Sequence, residues 1–167
     1  METQDAALRV AVLSNVIMFL IFGYLAAMIE NASYIFSKGD KLVSNVMVTG
    51  FPIFSIGAFS IIGVNRWLKP LTKNWIVHFL AYGSVATLIE LVAGLLVNAG
   101  PDSANENGAH TTWDYSNQKF NYKGIISLKH FVAWGLLGIV AVKLYDWLLP
   151  QLKIGLGCIM KHNKQLA

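Results

Sequence analysis

Four stretches of this chain, 10–29, 42–64, 75–97 and 125–149, run for 20 residues or more almost without charge. A bilayer's hydrocarbon core, about 30 Å thick, is crossed by about 20 apolar residues at a helical rise of about 1.5 Å each. Bare backbone finds no water there, so each stretch is expected to be a helix. Composition agrees: 55% of residues are hydrophobic and 13% charged, where soluble domains carry about 25% charge. The expected fold is all-α, a polytopic integral membrane protein with four transmembrane helices and a long loop between the third and fourth.

The first stretch follows Arg9 near the start of the chain. It is too long for the hydrophobic region of a signal peptide and has no small-residue cleavage site before Glu30, so it is read as a span. The division expected is 1–150 for the four-helix domain and 151–167 for a cytoplasmic amphipathic tail, which mixes apolar and basic residues after Pro150. Lysine and arginine set the orientation. Arg9, Arg66, Lys69, Lys73, Lys143, Lys153, Lys161 and Lys164 fall on the side of the termini, against Lys38, Lys41, Lys119, Lys123 and Lys129 on the other. Eight against five places both termini in the cytoplasm. A net charge of +4, dispersed along the chain, gives no nucleic-acid surface. The single Cys158 forms no internal disulfide.

Ionisable groups inside a bilayer cost about 2.5 to 3.5 kcal/mol on insertion scales and face a protein interior or a cavity. Glu90 lies seven residues before the end of the third stretch, roughly 10 Å deep. Lys129 and His130 enter the fourth to roughly 6 to 8 Å, a similar depth. One reading is a buried tie between Glu90 and Lys129 or His130. The other is a polar cavity floored by Glu90 and roofed by the aromatic loop around Trp113, Asp114 and Tyr115. Glu30, at the end of the first stretch, joins either arrangement. His78 lies at the opposite depth from His130, which argues against bis-histidine haem, and no His or Cys spacing makes a metal site. No phosphate-cradling loop or nucleophile motif is present, so an ATP-driven function calls for a separate subunit.

Trp113-Asp114-Tyr115-Ser116, then Phe120-Asn121, Gly124, Ile126, Leu128 and Trp134-Gly135, resemble the signature of a family of small polytopic membrane proteins. That family carries the label putative ABC-transporter type IV, or CmpB-like, and includes animal transmembrane proteins of similar length. Glu90 with Gly94, Pro52-Ile53 with Gly57-Ala58, and Glu30 are similar to its patterns further upstream. Where the family often has Pro, Glu, Tyr or Ser, this chain has Lys129-His130-Phe131.

The resemblance implies a function for Glu90 and Asp114 and leaves substrate, cofactor and catalytic residues unspecified. The site expected comprises Glu30, Glu90, Trp113, Asp114, Tyr115, Ser116, Asn121, Lys129 and His130. Its leading reading is a permease-like transport or ligand-binding component with a polar pocket near the outer face. Its partners would be membrane lipids, a second copy or a transporter subunit. The alternative is a membrane-embedded enzyme acting on a lipid headgroup, with Glu90 or Asp114 as acid or base and Tyr115 or His130 as hydrogen-bond donor.

Overall fold

A computed structural model describes residues 2–38, 51–96 and 114–166. Helix α1 spans Glu2–Lys38, α2 Phe51–Leu68, α3 Trp75–Leu96 and α4 Leu128–Leu166. Before α4, β1 (Asn121–Tyr122) and β2 (Ile126–Ser127) pair antiparallel, with Asn121 opposite Ser127 and Tyr122 opposite Ile126. All four helices are long and apolar enough to cross a membrane. The chain is therefore an all-α integral membrane protein, running up and down through a bundle with one end at the termini and the other at the hairpin.

Two helices outrun their apolar stretches. Helix α1 begins at Glu2 and continues through Asn31 and Ser33 to Lys38, because polar residues leave the backbone ladder intact. It takes in 30–38, which hydropathy alone assigns to a loop. Helix α4 starts at Leu128, since Ile126 and Ser127 are committed to the hairpin, and runs on through Pro150 to Leu166. The proline removes one N–H from the ladder, a loss that spanning helices tolerate. Residues 42–50 of the second expected span and 97–113 of the long loop lie outside the described residues.

Lipid is as apolar as leucine, so helices in a bilayer associate by close packing and hydrogen bonds rather than by burial from water. The sequence supplies small residues for this. Against α1, Gly23 leaves the space that Ser55 and Phe51 of α2 fill, and the buried Ser55 hydroxyl donates to the Phe19 carbonyl at 2.9 Å. Between α3 and α4 the fit is reciprocal. A Cβ on Gly83 would meet Phe131, while one on Gly135 or Gly138 would meet Phe79 or Tyr82 at 2.6 to 2.7 Å.

The core near the termini centres on Met18, Phe22, Ile62 and Tyr145. Its polar groups are paired inside the protein. Tyr145 Oη donates to Asn15 Oδ1 at 2.7 Å and accepts from Arg66 Nη2 at 2.8 Å, joining α1, α2 and α4. One turn away, Tyr82 Oη lies 2.7 Å from Asn65 Oδ1 and 2.8 Å from His78 Nδ1. Sequence reading places His78 at this depth but not its partners. An exposed Lys69–Asp146 pair at 3.4 Å adds little, as surface pairs do.

Candidate functional site: carboxylates on a cavity between the helices

The segment 114–127 is held in shape by its own side chains. Asp114 Oδ1 accepts from the Ser116 backbone N–H at 2.8 Å and Oδ2 from the Ser116 hydroxyl at 3.0 Å, an Asx turn. Asn121 Nδ2 donates to the Gln118 and Ser116 carbonyls, and its Oδ1 accepts from the Gly124 N–H at 3.0 Å. The backbone takes positive φ at Phe120 (56°), Lys123 (53°) and Gly124 (66°). Side chains disfavour that region, so two of these residues hold a conformation that the surrounding bonds must enforce.

The product of this folding is the placement of Tyr115. Its ring is buried and stacks on His130, centroids 3.7 Å apart and planes 14° from parallel. His130 is fixed in turn through Ser127. The Ser127 hydroxyl has one proton, given to Gln118 Oε1 at 2.8 Å, and so accepts from His130 Nδ1 at 2.9 Å. Thus held, Tyr115 Oη reaches back into the bundle and donates to Glu90 Oε1 at 2.9 Å. Trp134 Nε1 on α4 donates to Glu90 Oε2 at 3.1 Å. Glu90 is 7% exposed, with one oxygen tied to the loop and the other to α4. A carboxylate offers about four acceptor sites, so capacity remains after these two bonds.

Glu90 borders a cavity of about 240 Å³ that touches all four helices and the loop. Its wall is apolar along most of its length, with Phe22, Ile53, Ile61 and Leu144 among the residues. Glu30, Glu90, Tyr115 and Trp134 bring polar atoms to one end. Glu30 makes no side-chain hydrogen bond or ion pair among the described residues. Gly57 of α2 also lines the space, and a Cβ built there meets nothing within 4 Å. The cavity is not sealed from the side. Leu25 and Ile29 of α1 and Val140 of α4 belong to its wall, yet they are 42%, 50% and 59% exposed. Its mouth therefore lies along the α1–α4 seam.

Of the residues singled out from sequence, Glu30, Glu90 and Tyr115 meet at this cavity. Lys129 does not: it is exposed, and its matching depth does not bring it to Glu90, whose partners are Tyr115 and Trp134. His130 serves as the plate under Tyr115. Asp114, Ser116 and Asn121 shape the loop and do not line the cavity. The second carboxylate beside Glu90 is thus Glu30 rather than Asp114. Trp113 lies outside the described residues. Trp134 was legible only as part of the family pattern, and Gly57 likewise. Among the described residues, no three His, Cys, Asp or Glu side chains gather as a metal site would require.

No curated protein and no solved structure matches the chain. A family model does, over residues 17–163, and this interval holds the cavity, the hairpin, the whole of α2 and α3 and the greater part of α1 and α4. The chain belongs to the family described as "Putative ABC-transporter type IV".

Proposed function

We propose that this protein is a membrane transport component that binds its ligand inside the bundle, in the cavity bordered by Glu30 and Glu90. The observation that carries this reading is Glu90 itself. A carboxylate at hydrocarbon depth is costly, and a glutamine that accepts from Trp134 and donates to the Tyr115 oxygen would tie the loop to α4 without the charge. A charge-bearing side chain on the wall of an otherwise apolar cavity is what a ligand site requires. Family membership supports a transport-related role.

The orientation we propose keeps both termini in the cytoplasm and the hairpin outside, following the eight-to-five distribution of basic residues. In a Cys158→Ser background, Lys119→Cys should react with an impermeant thiol reagent from outside and Thr72→Cys should not. Labelling of Thr72→Cys alone would reverse the orientation. For binding, native mass spectrometry of protein released from nanodiscs should show a retained small molecule. It should be lost in both Glu90→Gln and Gly57→Leu, the second of which builds into the cavity from a Cβ position with nothing within 4 Å. Retention in both variants would remove the cavity from the function.

A further inference from the structure

The cavity has an axis, and its two ends differ chemically. At the hairpin end sit two carboxylates, from different helices, with Tyr115 and Trp134 as neutral donors to Glu90. Among the described residues no lysine, arginine or histidine lines the wall: Lys129 is exposed, and His130 lies behind the Tyr115 ring. Away from that end the lining is aliphatic and aromatic, continuing through Ala58, Ile61, Ala141 and Leu144 toward the core around Phe22. At about 240 Å³ the space falls below the roughly 300 to 1,000 Å³ of pockets that enclose drug-sized molecules. It suits one slender chain and is too small for a two-chain lipid. The mouth at Leu25, Ile29 and Val140 faces the hydrocarbon rather than either aqueous side.

The geometry points to a single-chain amphiphile with a protonated primary amine as the ligand, entering from the bilayer between α1 and α4. This inference rests on the proposed binding role of the same cavity. The hydrocarbon chain replaces lipid contacts with Ile53, Gly57, Ile61 and Leu144, so its transfer is nearly free. Selectivity then comes from the head. An ammonium group carries three donors and a charge, which complement the vacant acceptor sites on Glu90 and the Glu30 carboxylate. A carboxylate or sulfate head would face two like charges with no cation to offset them. A neutral alcohol would make the hydrogen bonds without the charge. The α1–α4 seam explains how a molecule already dissolved in the membrane reaches acids that the hairpin covers from above.

The test uses the full chain in phosphatidylcholine vesicles with Trp134 as its single tryptophan, the other four being replaced by Phe. Three quenchers of equal length are compared, ω-bromohexylamine, ω-bromohexanol and ω-bromohexanoate, each short enough that its bromine stays near Trp134 when the head sits at Glu90. Membrane partitioning is normalised with a second protein whose single tryptophan is Trp67, exposed at the other end of the bundle. The amine should quench Trp134 at about tenfold lower membrane concentration than the alcohol, the ratio corresponding to one charge-assisted contact. The carboxylate should quench Trp134 no better than it quenches Trp67. Gly57→Leu should abolish the preference by filling the slot. Glu30→Gln with Glu90→Gln should reduce the amine to the level of the alcohol while leaving alcohol quenching intact, which also shows that the variant is folded. Should the alcohol or carboxylate quench best and Gly57→Leu block it, the amine assignment fails while the cavity's binding role stands. Should quenching by all three be indifferent to Gly57→Leu, both fail together.

Discussion

The two ends of this bundle use similar residues to opposite effect. Near the termini, Asn15, Tyr145 and Arg66 satisfy one another, and Asn65, Tyr82 and His78 do the same, around a close-packed core. Near the hairpin, Glu90 also receives two hydrogen bonds, yet it and Glu30 border open space. Polar groups paired across helices act as glue in a medium that offers no other partner. The carboxylates facing the cavity keep acceptor sites that the described residues do not fill, and the proposed binding role rests on that difference.

Packing gives the largest contrast. Gly138→Leu, where α4 closes on α3 at the cavity's edge, forces a side chain where a Cβ already lies 2.7 Å from Tyr82, and should cost about 3 kcal/mol. Gly57→Leu should stay within about 1 kcal/mol of wild type, since a Cβ there meets nothing and leucine favours helix over glycine. Denaturation in mixed micelles checks both; similar losses would erase the distinction between packed and open positions. Next is Tyr145→Phe, which strands the Asn15 and Arg66 groups that the hydroxyl joins and should cost about 2 kcal/mol in the same assay.

Tyr115→Phe should cost less, about 1 kcal/mol, because the ring keeps its stack on His130 and Glu90 keeps Trp134. A loss as large as that of Tyr145→Phe would make the Glu90 layer a structural tie. Smallest is Asp114→Asn, about 0.5 kcal/mol, because the amide oxygen still accepts from the Ser116 N–H that closes the turn. Loss of ligand in Asp114→Asn at unchanged stability would move Asp114 from the loop's frame into the site.

The spans were legible because a bilayer imposes length and apolarity together, and Glu90 stood out for the same reason. Its partners were not. A rise of about 1.5 Å per residue gives depth but not direction around the helix axis, so Lys129 has the matching level but an exposed face, while His130 shares the face of Trp134 and is separated from Glu90 by the Tyr115 ring. Trp134, one helical turn beyond His130, is the residue of α4 that reaches Glu90. In the loop, sequence singles out Asp114 and Tyr115 alike and does not say which of the two faces inward. Asp114 and Tyr115 are adjacent, and the Asx turn that consumes the carboxylate is what sends the phenol inward. Such a reversal depends on three-dimensional bonds from Asn121 and Gly124, which composition does not reveal.

Whether the space beside Glu90 admits a guest can be read from one covalent probe. Gly57→Cys in a Cys158→Ser background leaves a single thiol in the protein, aimed into the cavity. Hexyl methanethiosulfonate, delivered through the membrane, should modify it in the folded protein, leave stability within about 1 kcal/mol of the unmodified variant, and expel the molecule retained beside Glu90. A thiol that reacts only after unfolding, or a modified protein that falls apart, would contradict the cavity and with it the binding role of Glu30 and Glu90.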